Sequence, residues 1–463
     1  MLENKEPKCV VEKEIEGMID NARIAQVEFE KWSQEDVDRV VKAIGKAVYG
    51  EGEKLARMAI EETGMGKYED KINKNKGKSK AVWKQLSGIA SRRIIKRNPE
   101  EELIEVAKPI GVIGAVTPVT NPSMTPIHNA MIALKGGNAI IFSPHPKAKN
   151  TGIETVNIMR EALFKEGASK DLLQIVKEPS LLHTTKVMEL CDASIATGGP
   201  AMVKAAYSSG KPSFGVGAGN VQCVLDRKID YRESIDKVIA GRIYDNGILC
   251  TCEQTLIYPQ EIKLSLIDIL KEKGGYLIKE DEMPYFRKHL FPGGKINVEL
   301  VGKSPSELGR IIDMTIPKDT KFIFVMIDEY GEKELFTKEK LCPVLSVIGY
   351  ESWNDALNIA KTNLLFEGAG HSAVIHSNNT DHIEEFGIVL PISRLVVNQQ
   401  GSSALGGSLN NGLNPTATLG CGSWGNNSLS ENLWWHHLVN ISRISYEIKD
   451  KEDLSDKEIW DLK

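Results

Sequence analysis

Cys250 is the residue whose surroundings most suggest covalent chemistry. It stands in the segment YDNGILCTCEQ, just after the predicted end of a helix and beside the small turn residues Asn246 and Gly247. A cysteine in such a turn can project into a cleft as an activated thiolate, which is a strong nucleophile. Judged on this segment alone, a buried structural cysteine is the more common outcome, because most free cysteines pack as small hydrophobic residues.

Cys252, two residues further on, raises the question of a metal site. A CxC spacing is compatible with zinc, but no cluster of histidines or cysteines elsewhere in the sequence completes a ligand set. The seven cysteines are also too few and too scattered for a disulfide framework in a chain of 463 residues. We therefore predict no metal site and expect reduced thiols.

The composition excludes several functional classes. The net charge is -5 and the basic residues are spread along the chain, so no basic stripe for a nucleic acid is expected. The N-terminal segment is charged rather than apolar, and no run of about 18 apolar residues occurs. These features predict a cytoplasmic protein that binds neither nucleic acid nor a membrane.

The elements that would position these residues follow two patterns. Apolar residues at spacings of three and four predict helices between about residues 11 and 90. From Lys108, short apolar runs (GVIGAVTP, NAIIFSP, LLQIVK, ASIATGG) alternate with helical segments, which is typical of a parallel, doubly wound sheet. Ligands of such sheets bind at the carboxyl ends of the strands, here residues 117–121, 143–147 and 197–199. No GxGxxG fingerprint follows the first strand, and the turn ATGGP suits an anion or a plain tight turn equally.

A second region begins near Gly219, where QCVLD predicts a strand and the next segment a helix that leads to Cys250. A single core stops growing at roughly 250–300 residues, so this chain should have at least two domains. Residues 92–108 and the segment WWHHLVNISRISYE predict strands with exposed edges. Trp434 and Trp435 are candidates for interface anchors or for core residues.

Seven motifs, in the same order along the chain, resemble the CoA-acylating branch of the aldehyde dehydrogenase superfamily: KPIGVIGAVTPVTNP, AIIFSPHPKAKN, FGVGAGN, YDNGILCTCEQ, EKLCPVL, EGAGHSA and TLGCGSWGNNS. The resemblance implies an α/β fold of two doubly wound α/β domains with an oligomerisation β-extension. Residues 1–92 and 108–218 would form the nicotinamide cofactor domain, and 219–430 the catalytic domain. Residues 93–107 and 431–463 would be the oligomerisation segments, which implies a homodimer or a dimer of dimers.

The resemblance also assigns catalytic roles. Cys250 falls on the nucleophile of the family, and Asn121 on the asparagine whose amide stabilises the oxyanion together with the main-chain N–H of the cysteine. Glu339 falls on the glutamate that binds the nicotinamide ribose. Gly215 replaces the glutamate that activates water in hydrolytic relatives, so we predict that CoA, not water, accepts the acyl group. Without the resemblance, Asn121 is typical of a turn before Pro122 and Glu339 of a surface residue.

The predicted cofactor is NADP or NAD, with CoA as co-substrate. Hydrolytic relatives hold the adenine ribose with an acidic residue after the second strand, but this chain has SPHPK at 143–147. Without that acid, and with Lys147 and Lys149 nearby, NADP should be tolerated as well as NAD. The complete set of predicted cofactor residues is Thr117, Pro118, Ser143, His145, Pro146, Lys147, Thr197, Gly198, Gly199, Gly217, Glu339 and Pro343.

The resemblance places the substrate near His371, Arg394, Ser402 and Ser403, and near Asn426. Arg394 could receive a terminal carboxylate or pair with an acid at the domain boundary, and His371 could border the site or be a core histidine. The segments EETGMGKYEDK, IVLPISRLVVNQ and TLGCGSWGNNSLSEN are most similar to the CoA-dependent succinate semialdehyde dehydrogenases. Butyraldehyde, acetaldehyde, propionaldehyde and sulfoacetaldehyde stay open as substrates.

Two other classes of function are alternatives to a CoA-acylating dehydrogenase. A hydrolytic aldehyde dehydrogenase is disfavoured by Gly215, which offers no base for water. A noncatalytic scaffold on the same fold is disfavoured because it would need none of the side chains of Cys250, Asn121 and Glu339.

Overall fold

The computed structural model describes residues 8–449 and 454–461. The predicted cofactor domain and the C-terminal oligomerisation segment also include residues 1–7, 450–453 and 462–463, which lie outside the described residues. Across the described part of the chain, no helix combines the length and the apolar character needed to cross a bilayer.

The chain begins with four helices, as the apolar spacing predicted. They are α1 (Lys8–Phe29), α2 (Gln34–Gly50), α3 (Gly52–Thr63) and α4 (Tyr68–Leu86). Helix α2 shows the local cause: the Ser33 side chain accepts from the Asp36 N–H at its start, and Val37, Val41 and Ile44 are buried on one face. The buried faces of these helices join the core of the first parallel sheet.

A β-hairpin follows the helices. Strands β1 (Arg93–Asn98) and β2 (Leu103–Pro109) pair antiparallel, with a register irregularity between Ile94 and Lys96. The ribbon predicted over residues 92–108 is confirmed.

The first parallel sheet alternates strands and helices. Its elements are β3 (Val112–Thr117), α5 (Met124–Lys135), β4 (Ala139–Pro144), α6 (Lys149–Lys165), β5 (Leu173–Ile175), α7 (Leu181–Leu190), β6 (Ala193–Thr197), α8 (Pro200–Tyr207) and β7 (Ser213–Val216). The strand order is β5-β4-β3-β6-β7, and every pair is parallel. The order reverses between β3 and β6, so a ligand crevice is expected at their carboxyl ends. The four predicted strands are confirmed, and β7 is an additional edge strand.

The second parallel sheet carries the segment with Cys250. Its elements are β8 (Val221–Leu225), α9 (Tyr231–Ile243), β9 (Glu253–Pro259), α10 (Lys263–Glu272), β10 (Gly275–Leu277), α11 (Met283–Leu290), α12 (Pro305–Ile311), β11 (Phe322–Met326), β12 (Val344–Tyr350), α13 (Trp353–Phe366), β13 (Ala373–His376), α14 (Thr380–Val389), β14 (Leu395–Val397) and α15 (Gly401–Ala404). The order is β10-β11-β12-β9-β8-β13-β14, again parallel throughout. Two apolar clusters pack around it.

The C-terminal part completes a third, antiparallel sheet. Strand β15 (Val439–Ser445) pairs with β2, giving the order β1-β2-β15, and the short helix α16 (Asp456–Trp460) follows. Trp434 and Trp435, which precede β15, are 3% and 7% exposed and belong to the core of the first parallel sheet. The two tryptophans were predicted to be either interface anchors or core residues, and within this chain they are core residues.

Candidate active site

The turn that presents Cys250 has an unusual backbone. Helix α9 ends at Ile243, and the next residues adopt left-handed conformations, with φ of 49° at Asp245 and 53° at Asn246. The buried Arg242 holds this turn by donating to the carbonyl oxygens of Gly247 at 2.7 Å and of Glu253 at 2.9 Å. The strained turn is therefore fixed from both sides, and Cys250 lies between it and β9.

Cys250 lines a cavity of about 370 Å³ at the junction of the two parallel sheets, together with Asn121, Ser402 and Ser403. Cys250 is partly exposed, whereas Cys252 is fully buried and its thiol lies 3.8 Å from the Tyr244 carbonyl oxygen. This geometry favours Cys250 over Cys252 as the nucleophile.

The main chain packs closely behind Cys250. A side chain at Gly219 would place its Cβ 2.1 Å from the Cys250 carbonyl oxygen, so only glycine fits there. The predicted cofactor residue Gly217 lies nearby, against the thiol of Cys421. The segment FGVGAGN therefore forms part of the wall around the cysteine.

The surroundings of Cys250 raise the pKa of its thiol. Burial raises its pKa, and the nearby Glu339 and Cys421 raise it further, while Arg394 opposes the shift. Glu339 is itself affected: burial, followed by the charge of Glu367, raises its pKa to about 8. Its Oε1 atom is buried and has no hydrogen-bond partner among the described residues, so it is available to a ligand hydroxyl.

Asn121 follows β3 and faces the cavity from the first sheet. Its Oδ1 atom accepts a hydrogen bond from Lys74 Nζ, and Lys74 also donates to the buried carboxylate of Asp245. Lys71 reaches the same carboxylate at 3.2 Å. Burial opposes ionisation of Asp245, but the two lysines outweigh it and lower its pKa. Lys74 occupies the amide oxygen, and the amide Nδ2 donates to Thr120 Oγ1 at 3.4 Å, which leaves its second N–H for a ligand.

Gly215, the position at which the sequence predicts no base for water, is closely packed. It lies in β7 against α8, where a Cβ would come within 2.6 Å of Val203 Cγ1 and 2.9 Å of Tyr207 Cε2. The Tyr207 hydroxyl also accepts from the Gly215 N–H at 2.9 Å. A glutamate would need this packing to open.

The remaining predicted cofactor residues lie along the carboxyl ends of β3, β4 and β6, as the topology predicts. Thr197 Oγ1 bonds Thr418 Oγ1 at 3.1 Å, and the Lys147 N–H donates to His145 Nδ1 at 3.1 Å. The other residues at this edge are Thr117, Pro118, Pro146, Gly198 and Gly199. Two further predicted residues are buried: Ser143, within β4, and Pro343, which precedes β12 in the second sheet.

Two carboxylates that the sequence did not reveal lie near the start of α6. Glu62, from α3, accepts from the N–H groups of Asn150 and Thr151, each at 2.8 Å. Glu178 forms an ion pair with Lys149, so the charge of that lysine is compensated. Lys147 is exposed and makes no ion pair within the described chain. Of the two lysines expected to favour NADP, only Lys147 has a free charge.

Arg394 and His371 are not among the residues that line the cavity. Arg394 is 4% exposed and donates to the Gly420 carbonyl oxygen and to Ser372 Oγ. It pairs with no carboxylate in the described ranges, so the predicted acid at the domain boundary is not found. His371 is fully buried beside Ser372, and burial lowers its pKa to about 3, as expected for a neutral core histidine. Asn426 lies in an exposed turn.

Comparison with known proteins agrees with this geometry. The profile of the aldehyde dehydrogenase family matches residues 6–282. A relative of 48% identity, which covers 96% of this chain and 98% of its own, is the succinate-semialdehyde dehydrogenase (acetylating) of Clostridium kluyveri. The chain belongs to the aldehyde dehydrogenase family. The resemblance inferred from the motifs is confirmed.

Solved structures of aldehyde dehydrogenases share the whole fold. An acetylating aldehyde dehydrogenase from Geobacillus thermoglucosidasius superposes with a TM-score of 0.92 and 34% identity, covering 97% of this chain and 100% of that one. A propionaldehyde dehydrogenase from Rhodopseudomonas palustris, with bound CoA and an acylated cysteine, gives 0.84 and 27%, covering 93% and 96%. These matches confirm the predicted α/β class.

The division into domains stays a prediction. The predicted boundary near residue 92 lies between α4 and β1, and the one near 218 lies between the two parallel sheets, whereas the one at 108 falls within β2. Residues 431–438, assigned to the oligomerisation segment, include core residues of the first parallel sheet.

Proposed function

We propose that this aldehyde dehydrogenase interconverts succinate semialdehyde, CoA and NAD(P)+ with succinyl-CoA and NAD(P)H through a thioester on Cys250. The observation that carries the proposal is the position of Cys250 and Asn121 on one cavity, beside a strand whose packing leaves no room for a glutamate at 215. Both the acyl carrier and the choice of acceptor follow from it.

The first step is loss of the Cys250 thiol proton to solvent and addition of the resulting thiolate to the aldehyde carbon. The oxyanion that develops accepts hydrogen bonds from Asn121 Nδ2 and from the Cys250 N–H. A carboxylate at Glu339 would oppose thiolate formation, but a pKa of about 8 leaves this group mostly neutral at pH 7. The neutral form removes one electrostatic obstacle to activation of the thiol.

The chain's residues fit NAD(P). The unpartnered Glu339 Oε1 suits a ribose hydroxyl, and the carboxyl edge of the first sheet suits the diphosphate and adenosine. When bound, the nicotinamide supplies the hydride acceptor. Lys147 offers a free charge for a 2′-phosphate, so we expect NADP to be used as well as NAD.

CoA is the acceptor because of its acidity. A thiol of pKa about 8.5 is partly ionised near neutrality, so it needs little help to attack the thioester, whereas water needs a base. Gly215 provides none, and its packing against Val203 and Tyr207 resists the introduction of one. Since each step is reversible, the same site permits reduction of an acyl-CoA.

Two aldehydes fit the cavity better than the others. Succinate semialdehyde is the substrate in the name of the relative of 48% identity. Lys74, Lys78 and Lys80 line the cavity, and their positive charge suits the carboxylate of this aldehyde. Sulfoacetaldehyde, with its anionic sulfonate, is the second candidate for the same reason. Butyraldehyde, acetaldehyde and propionaldehyde carry no charge for this wall to bind.

We also expect a cytoplasmic homodimer or dimer of dimers. Six cysteines are free thiols, which fits a reducing compartment: Cys191, Cys223, Cys250, Cys252, Cys342 and Cys421. The outer edges of β1 and β15 are unpaired within the described chain, and such edges favour pairing with a second copy.

The test measures NAD(P)H formation from succinate semialdehyde with and without CoA. We expect product only with CoA, and a fall of roughly 1000-fold in Cys250→Ser because an alcohol replaces the thiol nucleophile. Cys252→Ser is the matched control and should retain CoA-dependent turnover. Equal rates without CoA would indicate hydrolysis, and no turnover with any aldehyde would indicate a scaffold.

A further inference from the structure

The wall of the active-site cavity is positively charged. Lys74, Lys78 and Lys80, all on α4, line it together with Cys250 and Asn121. No aspartate or glutamate is among the described residues that line the cavity. An anionic ligand would therefore meet attraction and no like charge on this wall.

The three lysines differ in how their charge is compensated. Lys74 forms an ion pair with Asp245, and Lys80 is exposed, with its ammonium 5.6 Å from the ring centroid of Tyr49. Lys78 Nζ donates to the Gly406 carbonyl oxygen at 2.9 Å and lies within ion-pair distance of no carboxylate in the part of the chain that the structure describes. Burial lowers the pKa of Lys78 to about 8.

An ammonium held in this way is incompletely satisfied. It has three donors, of which the structure uses one, and its charge has lost water without gaining a counter-ion. The adjacent wall offers the hydroxyls of Ser402 and Ser408, which accept hydrogen bonds within the chain and can donate to the same anion, whereas Ser403 donates to the Gln400 carbonyl oxygen. The site thus has the charge and the donors that a carboxylate requires.

We propose that Lys78 binds the terminal carboxylate of the acyl substrate and so selects a short aldehyde acid over an uncharged aldehyde. This inference rests on the proposed function. It transfers the role considered for Arg394 to a residue that lines the cavity, since Arg394 donates to Gly420 and Ser372 and is not among the lining residues. A phosphate of CoA has the same anionic chemistry, and the test separates the two.

The experiment compares kcat/KM for succinate semialdehyde and for butyraldehyde in Lys78→Met, which keeps the length of the side chain and removes the charge. We expect kcat/KM for succinate semialdehyde to fall about 30-fold or more, because a hydrogen bond to a charged group is lost. The value for butyraldehyde should change less than about threefold, which also shows that the variant is folded. Lys78→Arg should keep most of the preference.

The matched control is Lys84→Met, which removes an exposed lysine from the same helix outside the cavity and should leave both substrates unaffected. An equal loss for both aldehydes with a raised KM for CoA would assign Lys78 to the CoA phosphates and overturn the proposal. If Lys80→Met lowers kcat/KM for succinate semialdehyde as much as Lys78→Met does, the preference comes from the general positive charge of the wall and not from a contact with Lys78, which also overturns the proposal. If the wild type shows no CoA-dependent turnover, the proposed function fails, whereas an unchanged ratio in an active Lys78→Met overturns this inference alone.

Discussion

At the scale of single residues, the proposed mechanism depends on which atom of the Asn121 amide faces the acyl group. Only Nδ2 can donate to an oxyanion, and the two ends of an amide are nearly equal in shape. Lys74 settles the choice by donating to Oδ1, and Asp245 anchors Lys74 in turn. The same turn that carries Asp245 leads to Cys250, so nucleophile and oxyanion donor share one support.

We therefore predict that Lys74→Met lowers kcat about 10- to 100-fold, somewhat less than the loss of an oxyanion donor, with little change in KM. Alkylation of Cys250 by iodoacetamide should proceed at the wild-type rate, because it forms no oxyanion. Lys76→Met is the control, since Lys76 lies on the same helix and pairs with the exposed Glu53. Loss of alkylation together with kcat would instead show that the Cys250 turn had collapsed.

At the scale of elements, the strands were predictable and the cavity wall was not. The strands β3 and β4 are buried along their whole length, so each appears in the sequence as an unbroken apolar run between turn residues. β10 and β14, of three residues each at the sheet edges, carry too little pattern to be predicted. β7 carries little strand signal, because it has only four residues and Gly215 among them weakens strand propensity.

The buried lysines of helix α4 could not be predicted from the local sequence pattern. Its segment KINKNKGKSK is typical of a solvated, charged helix, yet Lys71, Lys74 and Lys78 have spacings of three and four and so share one face. Asp245, the partner of Lys71 and Lys74, is about 170 residues away in the sequence, so only the packed structure brings the three side chains together. A lysine stripe of this spacing was the signal available in the sequence.

The packing of β7 on α8 yields a prediction for Gly215→Ala. The added Cβ meets Val203 and Tyr207 at less than 3 Å, so we expect the free energy of unfolding to fall by about 1–3 kcal/mol in urea denaturation. Gly17→Ala in α1, where nothing lies within 4 Å, is the control and should raise stability by up to about 1 kcal/mol. Gly215→Glu should therefore not create CoA-independent turnover. A stable, hydrolytic Gly215→Glu protein would contradict this account.

At the scale of the whole molecule, the site needs both parallel sheets. Asn121 comes from the first sheet, Cys250 from the second, and the lysine wall from α4 of the N-terminal helices. The third sheet, β1-β2-β15, contributes no residue to this cavity. Its structure is better explained by association, since a sheet of three strands with exposed apolar residues at both edges gains from further pairing.

That explanation predicts the behaviour of a double variant. Ile94, on β1, and Ile444, on β15, are 42% and 44% exposed within one chain. Burying their side chains and strand edges against another copy would stabilise the assembly, so Ile94→Lys with Ile444→Lys should dissociate it. Sedimentation velocity should show the wild type as a dimer or tetramer and the double variant shifted to monomer at micromolar concentration.

Leu264→Lys on α10 is the matched control for this variant, because Leu264 is 79% exposed and lies outside the third sheet. It should sediment like the wild type. Since the cavity takes no residue from the third sheet, a monomeric double variant should still be acylated at Cys250 by succinyl-CoA, as intact-protein mass would show. A double variant that stays oligomeric would place the interface elsewhere, whereas a monomer that no longer acylates would mean that association supports the site itself.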